Sequence, residues 1–561
     1  MSFTLEEYHQ AFVEHGGMKD EDFQNAVKLA TQNKSTLETV LVERGVLSSD
    51  HIGQLIANWM GVPYIHLQRT AIDKEVLGLV PLAFAQHHLV LPISQTTTKT
   101  KFATSEPRNL HLKSILEKYV RQPIEFVFAT QKDIKSNLFR LEKDPRNVIE
   151  SILSRKEAIG STPRKIIDLV DSLIDHAHQF KASDIHIEPE EESTTIRFRM
   201  DGILQDIATV PKDVHNPLIT RLKVLARLAT DEHQTPQDRK IQHDSKWGGR
   251  VEIRVSVVPT TNGEKAVMRL LSEHTRTFNL QDLGFRDKDF ATFQELIKHP
   301  WGMILVTGPT GSGKTTTLYG AVKVLNSRDI NISTIEDPVE YDLQGVNQIQ
   351  VNEKAELTFA NGLRSLVRQD PDVIMVGEIR DPETASISVN AAMTGHLVIS
   401  TLHTNDAATA FPRLLDMGIE DFLIASTVVS VIAQRLVRKL CMNCIESYKV
   451  LPEHKPFLST HPDIENLLKE ATGKEDMSSQ RVYRGKGCKT CNNTGYHGRT
   501  GIFEILMVND ELREAIMSNK NADELRDIAI KSGMRTMLED GIDKVILGHT
   551  SLQELLRVVQ E

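Results

Sequence analysis

Along this chain the apolar positions change period several times. In residues 1–60 they run at helical spacing, and the run comes twice. Phe12-Val13-Glu14-His15-Gly16 is echoed by Leu41-Val42-Glu43-Arg44-Gly45. Seven residues past each glycine stands an apolar residue, Phe23 or Ile52, and four later another, Val27 or Ile56. Each copy reads as a helix end, a glycine stop and a new amphipathic helix; two unrelated helix ends are the alternative. From 61 to 142 short strands and helices take over, with Leu89–Ile93 and Ile124–Phe128 as strands. The charged stretch 143–163 lacks a core pattern and reads as a linker.

Residues 164–280 open on a helix (Ile166, Ile167, Leu169, Val170, Leu173, Ile174) and continue in strands. Asp184–Pro189, Thr195–Gly202, Val251–Val257 and Lys265–Leu270 alternate at period two, with Gly202 closing a hairpin. Arg254 and Arg269 therefore stand on strands, facing solvent or a partner. From 281 to 561 apolar strands alternate with helices. Met303–Thr307, Ile332–Ile335, Val373–Val376 and Leu397–Leu402 are the strands. Leu318, Ala321, Val322 and Leu325 mark a buried helical face. This alternation predicts an open parallel α/β sheet.

The length, 561 residues, allows about three to four domains. With 40% hydrophobic and 25% charged residues the composition is that of a soluble globular protein. A net charge of −10 argues against nucleic-acid binding by bulk electrostatics. The N-terminus has no basic region followed by an apolar core, so no signal peptide is expected. The longest apolar run, Leu423–Ala433, is broken by Ser426, Thr427 and Ser430 and falls short of the roughly 20 residues of a membrane span. The expectation is a cytoplasmic protein, peripheral to a membrane only through partners.

One stretch carries the chemistry. Gly308-Pro309-Thr310-Gly311-Ser312-Gly313-Lys314-Thr315, followed by Thr316, fits the phosphate-binding pattern G-x-x-x-x-G-K-[ST]. A strand precedes it and a helix follows, as the pattern requires. Backbone N–H groups of the loop would cradle phosphates. Lys314 would reach the β- and γ-phosphates and the Thr315 hydroxyl would hold Mg²⁺. Ligands bind at the carboxyl ends of parallel strands, where Glu336, Glu340, Glu378 and His403 would be delivered. Glu378 is the residue to hold an attacking water, and either Glu336 or Glu340 could organise Mg²⁺. His403 could sense hydrolysis. An Asn-Lys-x-Asp motif for guanine is absent, so ATP is favoured over GTP.

The chain has four cysteines, Cys441, Cys444, Cys488 and Cys491, in two C-x-x-C pairs. Such a set points to a structural Zn²⁺ with four thiolates and no open position; free thiols are the alternative.

The stretches Gly308–Tyr319, Thr334–Tyr341, Gly377–Ala385 and Gly395–Asn405, with Gln434–Cys441, resemble the Walker A, Asp, Walker B and His boxes of the secretion ATPases, the hexameric motors of type II secretion and type IV pilus assembly. The resemblance covers about residues 62–561. It implies a RecA-like ATPase domain with a zinc subdomain at about 440–500 and C-terminal helices. A PAS-like α+β domain and an N-terminal helical and α+β adaptor precede it. It also implies that Arg254, Arg269, Arg364 and Arg368 reach the phosphates. A homohexamer, an inner-membrane platform protein and a cytoplasmic partner of the N-terminal domain are the implied partners. Retraction motors lack the long N-terminal domain and the cysteines, so assembly or secretion fits better.

Two stretches depart from the family. Pro236-Gln237-Asp238-Arg239-Lys240 stands where a glycine-containing turn is usual. The repeat in 1–60 resembles cyclic di-GMP-binding repeats, yet Glu7-Tyr8-His9 and Thr36-Leu37-Glu38 replace their Arg-Leu-Gly triplets, so cyclic di-GMP binding is not expected. Competing readings are a DNA-translocating ATPase of the same superfamily and a non-hydrolysing scaffold.

Overall fold

A computed structural model describes residues 3–33, 35–43, 46–67, 70, 72, 76, 78–135, 137–141, 163–245, 250–271, 280–449, 466–470, 481–488, 491 and 493–560. The chain divides into two compact units on either side of the Thr277–Phe278 bond. Of the expected linker only Pro163 is among the described residues.

The first unit begins with the duplicated helices. Thr4 starts the first with a capping box, Glu7 answering on the Thr4 N–H. Helices Asp20–Asn33, Leu37–Glu43 and Ser49–Met60 follow. Ser48 caps the last, and Gly61, at φ 71°, ends it. Phe12, Phe23, Leu41, Ile52 and Ile56 are all buried in one cluster. The helices of the two copies thus share one core, while Gly45, the stop expected in the second copy, lies outside the described residues. A three-stranded sheet comes next: β1 (Val90–Gln95), β2 (Thr100–Thr104) and β3 (Ile124–Phe128), with β2 and β3 parallel across the helix Leu110–Val120.

Still in this unit, β4 (Asp184–Pro189), β5 (Ser193–Met200), β6 (Ile203–Pro211), β7 (Gln237–Asp244), β8 (Arg250–Thr260) and β9 (Gly263–Leu271) form an antiparallel sheet in the order β6-β5-β4-β9-β8-β7. Strand β5 alternates buried and half-buried throughout. Its buried residues Ile196 and Phe198 join Leu169, Leu173, Leu218 and Leu222 from the helices Pro163–Gln179 and Lys212–Ala226. Arg239 and Lys240 lie inside β7, opposite Val255 and Arg254. Where the family usually has a glycine-containing turn, Gln237–Lys240 of this chain open a strand.

In the second unit β10 (Gly302–Thr307), β11 (Ile332–Glu336), β12 (Asn347–Gln350), β13 (Val373–Val376), β14 (Leu397–Leu402), β15 (Val428–Leu440) and β18 (Tyr496–Met507) form one sheet, ordered β12-β11-β13-β14-β10-β15-β18. All pairs are parallel except β15 with β18. Strands β10, β13 and β14 are buried at every position, as a sheet covered on both faces requires. A two-stranded ribbon, β16 (Ile445–Lys449) with β17 (Arg481–Gly485), stands between β15 and β18 in the chain. Four helices, Asp510–Met517, Ala522–Lys531, Met537–Ile546 and Leu552–Gln560, close it. Among the described residues no helix is long and apolar enough to cross a membrane.

Candidate nucleotide site and metal centre

The phosphate loop leaves the carboxyl end of β10 and opens directly into the helix Lys314–Leu325. Leu318, Ala321 and Val322 are buried beneath it, as their spacing predicts, while Leu325, expected on the same face, is half-buried. Two glycines are dictated by geometry. Gly308 has φ 141°, and a Cβ there would lie 2.3 Å from the Gln434 carbonyl oxygen; Gly313 has φ 92°, and its Cβ would lie 2.7 Å from Gln434 Nε2. Gln434, fully buried in β15, thus backs the loop, and its Oε1 accepts from the Thr317 hydroxyl at 2.7 Å. Pro309, Thr310, Gly311 and Thr315 are exposed, Thr316 is half-buried and Ser312 is buried.

Lys314 is buried, and its Nζ donates to the Gly308 and Pro309 carbonyls at 2.7 and 3.2 Å. Burial pushes its pKa down, while the Glu378 carboxylate opposes that shift. An ammonium folded onto the carbonyls of its own loop is a cation ready to exchange partners for an anion.

Glu378 follows β13. Its segment is clamped by main-chain and hydroxyl bonds: Gly377 N–H to Ile335 O at 2.8 Å, Ile379 N–H to Thr401 O at 3.0 Å, and the Thr401 hydroxyl to Gly377 O at 2.8 Å. Its Oε2 lies 3.1 Å from His403 Nε2 and 2.6 Å from Arg380 Nε. A carboxylate only accepts, so that imidazole nitrogen carries the proton. Glu378 and His403 are therefore brought together, as their places at adjacent strand ends predict. Arg380, two residues on, was missed, although it lies in the same quoted stretch.

Glu336 departs from the expectation of a strand-end carboxylate facing a metal. It is 3% exposed, and both oxygens are engaged within the chain. Oε1 accepts from the Thr334 hydroxyl at 2.7 Å and from Gln348 Nε2 at 3.1 Å; Oε2 accepts from the Tyr319 hydroxyl. As the last residue of β11 it turns inward toward the phosphate-loop helix. Glu340 is half-buried, and its backbone N–H donates to the Tyr319 hydroxyl at 3.1 Å.

Arg364, on the helix Phe359–Leu366, is ion-paired with Glu383, and Arg368 is exposed just beyond that helix. Arg254 and Arg269 belong to the first unit and stand directly opposite each other on β8 and β9. Arg269 keeps 62% of its side chain exposed and donates from Nε to Asp184 Oδ1 at 3.2 Å.

A buried carboxylate with no sequence motif around it ties the loop after His403 to the C-terminal helices. Glu504, on β18, accepts from the Ala407 N–H at 2.8 Å and the Met537 N–H at 3.3 Å. Burial pushes its pKa up.

The cysteines converge from the ends of four strands. Cys441 follows β15, Cys444 precedes β16, Cys488 follows β17 and Cys491 precedes β18. Their sulfurs all lie within 4.8 Å of one another. Sγ–Sγ distances are 3.7 Å for Cys441–Cys488, 3.8 Å for Cys444–Cys491 and 3.6 Å for Cys488–Cys491. Tetrahedral thiolates at the Zn–S distance of about 2.3 Å lie about 3.8 Å apart, so the donor set fits Zn²⁺. Burial and the neighbouring sulfurs push the Cys441 and Cys444 thiols up, so a cation is needed to hold them as thiolates.

A family model described as "Type II/IV secretion system protein" matches residues 161–557, and one described as "MshEN domain" matches residues 60–148. The second match falls on the three-stranded part of the first unit and leaves most of the helical repeat outside it. The chain is 38% identical over 543 residues to the type IV pilus assembly ATPase PilB of Myxococcus xanthus, covering 94% of each chain. It is 39% identical over 510 residues to the type II secretion system ATPase E of Vibrio cholerae, covering 87% of this chain and 98% of that one. Among solved structures, the ATPase DotB of Yersinia pseudotuberculosis shares the fold, with a TM-score of 0.51 at 20% identity over 70% of this chain and 93% of that one. With a family match over residues 161–557 and a relative aligned along nearly its whole length, the chain belongs to the type II/IV secretion system protein family.

Proposed function

We propose that this chain is a motor ATPase that drives pilin or pseudopilin assembly, in type IV pilus biogenesis or type II secretion. The observation that carries the reading is the Glu378–His403 pair at the ends of β13 and β14, the latter paired with β10, which leads into the phosphate loop. ATP binds on Gly308–Thr316. Lys314 moves from the loop carbonyls to the phosphates, Glu378 holds the attacking water and His403 reports the state of that carboxylate. Magnesium, when bound, neutralises charge on the phosphates; Thr315, exposed on the first helical turn, and Glu340 are the residues to hold it or its waters. Arg364 and Arg368 are assigned to the phosphates as the resemblance implies. Arg254 and Arg269 receive the same role as the resemblance implies; they stand opposite each other on β8 and β9, and Arg269 keeps most of its side chain exposed.

We assign Zn²⁺ to the four cysteines as a structural ion. The domains are read as 1–60, 61–142, a linker at 143–163, a PAS-like domain at 164–280 and the RecA-like ATPase domain at 281–561. The chain acts as a homohexamer on the cytoplasmic side of the inner membrane, with a platform protein and a partner of the N-terminal domain. The helical repeat is a docking adaptor that does not respond to cyclic di-GMP. In support, Glu7 is held in its capping box and Glu38 accepts from the Tyr8 hydroxyl at 2.9 Å, which leaves anionic side chains where a dianion would need cations.

The test is magnesium-dependent ATP turnover by the purified full chain, with its mass in solution. Turnover by a hexamer, unaffected by added DNA, is the expected result. Strong stimulation by DNA would favour the translocase reading, and absence of turnover the scaffold.

A further inference from the structure

Tyr319 lies on the phosphate-loop helix, five residues after Lys314, and is 1% exposed. A buried tyrosine hydroxyl needs partners, and this one meets Glu336 on β11, Glu340 just beyond it and Gln348 on β12. It donates to Glu336 Oε2 and accepts from the Glu340 N–H at 3.1 Å and, more weakly, from Gln348 Nε2 at 3.4 Å. Gln348 extends the network, donating to Glu336 Oε1 at 3.1 Å and Tyr341 O at 3.2 Å, while its Oε1 accepts from the Leu343 N–H at 2.7 Å. The Tyr319 ring also meets the Tyr341 ring edge-on, centroids 4.6 Å apart. The segment from Glu336 to Leu343 is thus fastened to the helix that carries Lys314 and Thr315.

We propose that Tyr319 is a positioning residue that sets Glu340 relative to the phosphate loop through its hydroxyl, and that Glu336 is the buried anchor of that hydroxyl rather than a metal-facing carboxylate. The inference rests on the reading that Glu340 organises the magnesium of the hydrolysis site. Glu336 is excluded from that role by its burial and by the donors on both its oxygens. Glu340 is left on the segment whose backbone Tyr319 holds. When the helix N-terminus shifts around bound phosphates, the Glu340 segment shifts with it.

The test uses the full chain and the variants Tyr319→Phe, Glu340→Gln and the double variant, with ATP turnover titrated against magnesium and the dissociation constant for ADP measured separately. Tyr319→Phe keeps the ring in its place and removes only the hydroxyl. It is expected to lower kcat by roughly tenfold, as loss of a charge-linked hydrogen bond allows, to raise the half-activating magnesium concentration, and to leave ADP affinity within about twofold. In the Glu340→Gln background it is expected to add no further loss, because both changes act on one contact chain. A Tyr319→Phe protein with a wild-type magnesium curve overturns the proposal, as does one that loses ADP binding together with turnover. Losses that multiply in the double variant overturn it as well. Glu340→Gln with an unshifted magnesium curve overturns the reading of Glu340 itself, whatever Tyr319→Phe does.

Discussion

His403 Nε2 stands 3.1 Å from Glu378 Oε2, so a residue just past the end of one strand holds the carboxylate just past the end of the strand beside it. The contact needs β13 and β14 in their observed parallel register, and it leaves the His403 side chain 47% exposed. On the proposed mechanism His403 orients the carboxylate and does not bind nucleotide by itself. His403→Gln is therefore expected to lower ATP turnover by about tenfold or more and to change the dissociation constant for ATP by less than about threefold. Equal losses in both would make His403 a binding residue.

Arg269 donates from Nε to Asp184 and keeps most of its side chain exposed. Removing it costs the first unit little, because exposed ion pairs contribute about 0–1 kcal/mol. Charge brought to a phosphoryl group in the transition state is worth far more, about 10³-fold or greater in rate. Arg269→Ala should thus unfold at nearly the wild-type temperature while its turnover falls well beyond any change in nucleotide affinity. Unchanged turnover would leave Arg269 a solvated strand residue.

The sulfur geometry predicts one zinc per chain. Metal binding to such a set is folding free energy. Cys441→Ser is expected to lose the ion and to speed hydrogen exchange in β16, β17 and the start of β18, leaving the phosphate loop as protected as before. Freshly purified, reduced protein without zinc by elemental analysis contradicts the assignment.

His243 gives the first unit a pH dependence. The hydrogen bond from His243 Nε2 to Asp175 Oδ1, at 3.2 Å, raises its pKa; Asp175, Asp171 and Asp244 add to this through their charge, and burial opposes it. The folded state then holds the proton more tightly than the unfolded state. The stabilisation is full below the unfolded value of about 6.5 and is lost as pH rises through the raised value. His243→Gln should flatten that part of the stability-against-pH curve. A variant curve that keeps the wild-type slope places the dependence elsewhere.

What the sequence made legible follows from how local the signal is. Strands β10, β13 and β14 are short apolar runs buried on both faces, and the phosphate loop is defined by glycines whose φ values no other residue adopts easily. The helical repeat was legible for the same reason: Phe12, Leu41, Ile52 and Ile56 mark buried faces at fixed distances from a glycine. Strands β15 and β18 were not read. Strand β15 buries Gln434 and Arg435, whose partners come from far along the chain. Arg435 donates to the Val558 carbonyl, and Arg438 pairs with Glu554 at 2.7 Å. Buried polar groups of this kind look like surface residues until their distant partners are known. Glu336 misled for the same reason, since Tyr319 and Gln348, which cover it, lie on other elements.

The central claim is that Glu378 activates water for hydrolysis while the phosphate loop binds nucleotide without it. Turnover and ATP binding by purified Glu378→Gln, set beside Lys314→Ala, test it most directly. Lys314→Ala should lose both, because the ammonium serves the phosphates in the ground state as well as in the transition state. Glu378→Gln is predicted to bind ATP about as tightly as the wild type and to hydrolyse it at less than about a hundredth of the rate. A Glu378→Gln protein that turns over ATP at near the wild-type rate contradicts the account.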